Sequence, residues 1–381
     1  MNTVPFWSVA TLVSDSQDPL DFQVSLEDMV SGTGHLVDGD LSQYSAKGTR
    51  FVKGDILFGK LRPYLAKYWL SNREGTAGGD IHVYRPEIGV EPRYLYYIVG
   101  SRNFVRFAEA ASKGVKMPRA EWMSLREYRI PEHDVDTQRA IADYLDCETG
   151  EIDAMIAKMD ELTESLQHRR TSVIETNTTA RAGTFTKMKY CGEVALGKTV
   201  QGEQKRDNEL FVNYVRAASI QSHGIELDDQ RMWMTSEELE KYDLKRDDVL
   251  IVEGGAGFGR SVVLADDMPF WGFQNHVIRV RPDNRHSGRF LNYCVKGHYS
   301  EGLIGLLAEG ATIPGLSSEK ARNLPVPELP LEEEIHIVNH LDNATGKINA
   351  MLAKVAELKS LLIERRAALI TDVVTGRKKV A

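Results

Sequence analysis

Residues 126–174 read REYRIPEHDVDTQRAIADYLDCETGEIDAMIAKMDELTESLQHRRTSVI, and residues 322–370 read RNLPVPELPLEEEIHIVNHLDNATGKINAMLAKVAELKSLLIERRAALI. Written one above the other, they keep a constant offset of 196 residues with no gap. Pro131 falls on Pro327, Ile141 on Ile337, Leu145-Asp146 on Leu341-Asp342, Thr149-Gly150 on Thr345-Gly346 and Ile152 on Ile348. Ala154-Met155 falls on Ala350-Met351, Glu161-Leu162 on Glu357-Leu358, Leu166 on Leu362, Arg169-Arg170 on Arg365-Arg366 and Ile174 on Ile370. Shared helical composition does not produce identities in this register, so the chain is a tandem duplication.

The repeated stretch predicts a long helix. Ile141, Leu145, Glu148, Ile152, Met155, Met159, Leu162, Leu166, Arg169 and Val173 recur at alternating spacings of four and three. The second copy gives Ile337, Leu341, Ala344, Ile348, Met351, Val355, Leu358, Leu362, Arg365 and Leu369. Heptads sustained this far mark a coiled-coil seam, about 50 Å long at ~1.5 Å per residue. The simplest partner for each seam is the other. Asp136 is placed to cap the first helix, and Pro330 to stand at the start of the second. Glu148 is the one charged residue well inside the first seam, with Ala344 at the matching place.

Working outward, the same offset places Gly114 and Pro118 on Gly310 and Pro314, Arg85-Pro86 on Arg281-Pro282, and Leu95 and Tyr97 on Leu291 and Tyr293. Further back an insertion is needed, after which GDILFGK (54–60) faces DDVLIVE (247–253). VKGDILFGK, GDIHVYRP, DDVLIVEGG and NHVIRVRP predict strands, and Arg93–Glu109 and Gly288–Leu307 predict shorter helices. The expected fold is α/β in the mixed α+β sense. A first globular domain spans 1–133, a helix 134–182, a second domain 183–328 and a second helix 329–381. The two helices are expected to pair antiparallel, giving a pseudo-two-fold internal repeat.

The chain has 381 residues, 42% of them hydrophobic and 27% charged. That composition is enough to bury sizeable cores. Its net charge is −8, which excludes a uniformly basic nucleic-acid binder. Charge is unevenly placed, however. Lys47, Arg50, Lys53, Lys60, Arg62, Lys67 and Arg73 follow one another, with Asp40 and Asp55 the acidic residues near or among them. Acidic residues gather in 225–248 and 328–334. A basic face on an acidic body fits nucleic acid on one surface and protein on another, although a solvated charged face gives the same pattern. The three cysteines, Cys147, Cys191 and Cys294, form no C-x-x-C pair. No metal site or disulfide framework is therefore expected, and a reducing cytoplasm is the natural compartment. MNTVPFWSVATLV lacks a basic leader and reads as a first strand, and no run reaches the ~18 apolar residues of a membrane span.

Catalytic patterns are missing. VEGGAGFGRSVV (252–263) has the wrong glycine spacing for G-x-G-x-x-G and runs into SVVL. That continuation is a strand and not a helix, so the stretch reads as a hairpin turn. There is no phosphate-binding loop, no methyltransferase N/D-P-P-Y/F motif and no nuclease or Ser/His/Asp set common to both copies. Gln274-Asn275-His276 stands opposite Gly78-Gly79-Asp80. Divergence at such places suits recognition better than shared chemistry.

KGDILFGKLRPYLAKY followed by GGDIHVYRP resembles the target-recognition domain of type I restriction–modification specificity subunits, as does FVNYVRAASI followed by LKRDDVLIVEGGAGFGRSVVL. QRAIADYLD and RRAALITDVVTG are similar to the helical regions of that family. The resemblance covers nearly the whole chain and rests on the order and duplication of these elements. It implies a non-catalytic subunit whose two domains each read one half of a split double-stranded DNA target. Two modification subunits would bind it and methylate adenine with S-adenosylmethionine, which they and not this chain would hold; restriction subunits would complete the assembly. No metal, cofactor or membrane is implied for this chain. The DNA-binding candidates are Lys47, Arg50, Lys53, Lys60, Arg62, Tyr64, Lys67, Arg73, Lys113 and Lys116 in the first domain. In the second they are Lys198, Gln201, Gln204, Lys205, Arg206, Arg260, Gln274 and Asn275. Lys60, Arg62 and Lys67 are the leading phosphate contacts; Gln and Asn suit adenine and Arg suits guanine. A duplicated coiled-coil adaptor without a DNA role also explains the helices and the acidic charge. It does not explain why the domains diverge most at basic and glycine-rich loops.

Overall fold

The computed structural model describes residues 2–221, 224–308 and 315–380. Gly310 and Pro314 of the aligned loop lie outside the described residues. The chain divides into two compact units, Met1–Glu161 with Val355–Ala381, and Leu162–Lys354. Two long helices, Val135–Asn177 and Leu331–Val374, each contribute one stretch to either unit.

The first unit is built on a four-stranded antiparallel sheet of β1 (Ala10–Val13), β2 (Ile56–Gly59), β3 (Tyr68–Leu70) and β4 (Ile81–Pro86), in the order β1-β4-β2-β3. The second unit repeats that order with β5 (Gly192–Leu196), β6 (Val249–Val252), β7 (Ser261–Val263) and β8 (Val277–Pro282), as β5-β8-β6-β7. Registers match as well: Ile56 pairs with Tyr84, and Val249 with Val280. VEGGAGFGRSVV is the β6–β7 hairpin connection. The expected shorter helices are each broken in two, Pro92–Gly100 and Arg102–Ala110 at Ser101, and Gly288–Ser300 and Leu303–Leu307 at Gly302. Ser101 caps the second piece through the Phe104 N–H, and Gly302 takes the left-handed conformation (φ 80) between the other two pieces.

The second layers differ. In the first unit, short strands around Gly48–Phe51 and Gly75–Ala77 cover a core of Val24, Phe51, Leu57, Trp69 and Val83. In the second, Glu209–Val215 pairs with Arg231–Thr235 and Trp271–Phe273 instead. The partner of Val83 there is Arg279, 1% exposed, whose guanidinium donates to the Asp243 carbonyl (2.7 Å) and meets Glu193 (3.2 Å). Burial pushes the Arg279 pKa below its ordinary value, and the neighbouring charge of Arg281 adds to that.

Each domain is tied to a helix by the same bonds. Tyr97 donates to Asp146 (2.6 Å) beside Thr149, and Tyr293 donates to Asp342 (2.8 Å) beside Thr345. The Glu91 N–H donates to Gln138 (2.9 Å), and the Ser287 N–H to Glu334 (2.7 Å). Within the first unit the helices run antiparallel, Arg366 meeting Asp153 (2.9 Å) and Lys359 meeting Asp160. Within the second, Arg170 donates to Asn349 (3.3 Å), the same two repeat positions with the helices exchanged.

The buried line along the helices departs from the expected seam. Ile141, Leu145, Ile152, Leu166, Ile337, Leu341, Ile348 and Val355 are buried, and Met159 and Leu362 half-buried. Met155, Leu162, Met351 and Leu358 are exposed, at 48%, 42%, 43% and 51%. The inward position after Leu145 is Thr149, four residues on, and not Glu148; Thr345 likewise replaces Ala344. Each threonine hydroxyl donates to the carbonyl one turn back (2.7 Å). That bond lets a polar residue sit inside at little cost. From there alternate inward positions fall one residue later than expected, because two successive steps of four, Ile141 to Leu145 to Thr149, shift the phase of the seven-residue repeat once. The cap also differs: Asp134, and not Asp136, accepts from the Thr137 N–H (2.8 Å).

Candidate nucleic-acid interface

In the first unit, five cationic residues gather where β2 ends. The Arg62 N–H donates to the Pro118 carbonyl (2.8 Å), and Lys113 and Arg119 exchange two backbone bonds of 2.9 Å. Arg62 is held in the left-handed region (φ 51), uncommon for a residue with a Cβ. Its side chain is exposed, as are Lys113 and Lys116. Lys60 is half-buried, and the Ala120 N–H donates to its carbonyl (2.9 Å). Arg119 pairs with Asp80 (2.8 Å) and was not among the sequence candidates. Tyr64, 48% exposed, sits in the turn Pro63–Leu65 between Arg62 and Lys67.

Elsewhere in the basic stretch, Lys67, Arg50 and Arg73 have partners within the chain. Lys67 donates to the Leu26 carbonyl (2.7 Å), so it holds a loop. Arg50 pairs with Glu74 (3.1 Å), and Arg73 lies over the Phe22 ring at 4.9 Å. Lys47 and Lys53 are exposed.

In the second unit, Arg260 and Gln274 line a cleft of about 660 Å³ with Gln221, Glu253 and His276, and with Gly254, Gly255 and Gly315. Arg260 donates to Gln221 (3.0 Å), and the His276 Nδ1–H donates to Glu253 (3.0 Å). Gln221, Glu253 and His276 were missed; the opposition of Gln274-Asn275-His276 to Gly78-Gly79-Asp80 was the available signal. The Asn275 N–H donates to the Lys198 carbonyl (2.9 Å), and the Lys198 ammonium pairs with Glu238. Gln201, Lys205 and Arg206 organise a loop around the Glu209 carboxylate: the Gln201 amide (2.9 Å) and the N–H groups of Lys205 (2.7 Å) and Arg206 (3.2 Å) donate to it. Those bonds hold the Glu209 carboxyl below its usual range. Gln204 donates to the Arg206 carbonyl (3.1 Å). Gln201 is thereby committed to structure, whereas Lys205 and Arg206 use their backbones and keep exposed side chains.

Among the described residues no group of three His, Cys, Asp or Glu side chains could hold a metal ion, and no helix is long and apolar enough to cross a membrane. Cys147 is exposed; Cys191 and Cys294 are buried, and all three are free thiols.

No family model matches the chain. It is similar to the StySPI type I restriction enzyme specificity subunit of Salmonella potsdam, 24% identical over 320 residues, which cover 77% of this chain and 68% of that one. It is also similar to the EcoDI specificity subunit of Escherichia coli, 21% identical over 183 residues, 42% of this chain and 39% of that one. A solved chain from work on complex assembly and conformational transition of the type I R-M system aligns over 99% of this chain and 98% of its own length, with a TM-score of 0.77 and 16% identity. The HsdS subunit of Thermoanaerobacter tengcongensis aligns over 99% and 97%, with a TM-score of 0.55 and 16% identity. The fold is shared along the whole chain.

Proposed function

We propose, for a chain that belongs to the specificity subunits of type I restriction enzymes, that its two domains each read one half of a split, non-palindromic DNA target. In that family the specificity subunit is a non-catalytic component of the complex. The paired long helices act as the spacer between reading heads and as the seat for two modification subunits, which bring S-adenosylmethionine. Restriction subunits complete the enzyme.

The observation that carries this reading is one frame with two sets of side chains. Both sheets have the same strand order and register, and both domains hold their helices by the same tyrosine–aspartate bond. At the loops beyond the strand ends, the residues differ in size and charge. Two equal heads would read a palindrome; two unequal heads on one frame read two different half-sites.

DNA binding by the complex with the modification subunit, measured against salt, tests this. Binding weakens as salt rises, with a slope near about −0.9 per phosphate held. Arg62→Ala with Lys113→Ala flattens the slope by roughly one for each phosphate released and weakens binding to all sequences alike. Lys67→Ala leaves the slope unchanged, since its ammonium is held by Leu26. A complex that binds the modification subunit but shows no salt-dependent DNA affinity would make the chain an adaptor.

A further inference from the structure

One residue at the end of β2 and one at the end of β6 are fixed by the same pair of backbone bonds. The Lys60 N–H donates to the Asp80 carbonyl (2.9 Å), and the Ala120 N–H donates to the Lys60 carbonyl (2.9 Å). The Glu253 N–H donates to the His276 carbonyl (3.0 Å), and the Leu316 N–H donates to the Glu253 carbonyl (2.7 Å). The preceding residues repeat the match: Gly59 N–H to the Lys67 carbonyl (2.8 Å), Val252 N–H to the Arg260 carbonyl (2.9 Å). The backbones coincide bond for bond. The side chains are reversed in charge at the first position, lysine against glutamate, and at the second aspartate faces histidine.

Resting on the DNA-reading function proposed above, we propose that Lys60 and Glu253 are equivalent base-reading residues of the two heads, Lys60 donating to guanine and Glu253 accepting from the amino group of a cytosine. The fold has little need of the Glu253 charge. The Glu253–His276 pair is partly exposed, at 28% and 61% of the two side chains. Ion pairs exposed to that degree add little to stability. A carboxylate beside DNA is repelled by phosphate, so it gains only where a base offers a donor. In the major groove those donors are the exocyclic amines, and Glu pairs with cytosine N4, as Lys pairs with guanine O6 and N7. His276 positions the Glu253 carboxylate through its Nδ1–H. Glu253 lines the cleft of about 660 Å³ described above. Gly254, Gly255, Gly257 and Gly315 line it too, and among the described residues a Cβ added at Gly255 would meet nothing within 4 Å.

The test is selection of preferred sequences from a random DNA pool by the complex with the modification subunit. Glu253→Gln lowers the preference for cytosine roughly tenfold at one position of one half-site, with adenine gaining, because an amide both donates and accepts. His276→Ala weakens preference at that same position. Lys60→Gln moves one guanine position in the other half-site. A wild-type complex that selects two half-sites while Glu253→Gln leaves every position unchanged overturns the assignment of Glu253 and leaves the two-head reading standing. Changes spread over both half-sites overturn it equally. A wild-type complex that selects no split site overturns the two-head reading itself.

Discussion

Replacing residues 183–328 with the corresponding segment of a relative is expected to change one half of the methylated target and leave the other half and the spacer as they were. The reason lies at the ends of that segment. Phe185–Lys187 pairs antiparallel with Pro325–Pro327, and the Glu328 N–H donates to the Thr184 carbonyl (3.0 Å). The domain therefore leaves the helices and rejoins them through two adjacent strands. The first domain closes the same way, Thr3–Pro5 against Arg129–Pro131, with the Glu132 N–H donating to the Asn2 carbonyl (3.0 Å). A segment whose two ends meet can be exchanged without stretching its neighbours. The donor must keep Tyr293, whose hydroxyl bonds Asp342 on the helix, whereas the bond to Glu334 comes from the backbone N–H at 287, which any residue but proline supplies. Mapping methylated adenines for the exchanged protein reads the outcome. If both half-sites change, or neither does, the two-head account fails.

Arg279→Ala is expected to destabilise the second unit by about 3 kcal/mol, the range for stripping a buried charge from its partners and leaving carbonyls unpaired. Arg279 holds the Lys241 (3.3 Å) and Asp243 (2.7 Å) carbonyls and lies over the Phe273 ring at 5.4 Å. Arg281 keeps Asp243 and Asp248 paired in the variant (2.8 and 2.7 Å), which limits the loss. Hydrogen exchange, read sheet by sheet, separates the effect. Amides of β6 and β8 lose protection, while those of β2 and β4 hold theirs. A loss below about 1 kcal/mol, the range of an ordinary surface substitution, or one shared by both sheets, would contradict the role given to Arg279.

Arg279 also marks where sequence reading stops. The duplication, the strand positions and the long helices follow from local pattern, because the 196-residue offset and the apolar runs sit on contiguous residues. In NHVIRVRP an arginine in a strand reads as surface, yet Arg279 is inside, where the aligned first unit has Val83. Its burial depends on the Asp243 loop, 36 residues away. The seam phase failed for a related reason. Leu162 is a better heptad residue than Thr163 and Met155 is as apolar a choice as Ile156, and only the Tyr97 contact from the domain shows that Thr149 turns inward. The basic stretch divided similarly. Lys67 and Arg62 look equal in sequence, but one ammonium is spent on the Leu26 carbonyl and the other side chain is exposed. Glu253 escaped notice because acidic residues are not sought in a DNA-binding surface.

The central claim is that two unequal heads on one repeated frame read two unequal half-sites. Mapping every adenine methylated by the wild-type complex, with the flanking sequence at each, tests it most directly. The account predicts a target in two blocks separated by a fixed number of unread base pairs, the blocks differing in sequence. A palindrome, a single uninterrupted block or methylation without sequence preference would contradict it.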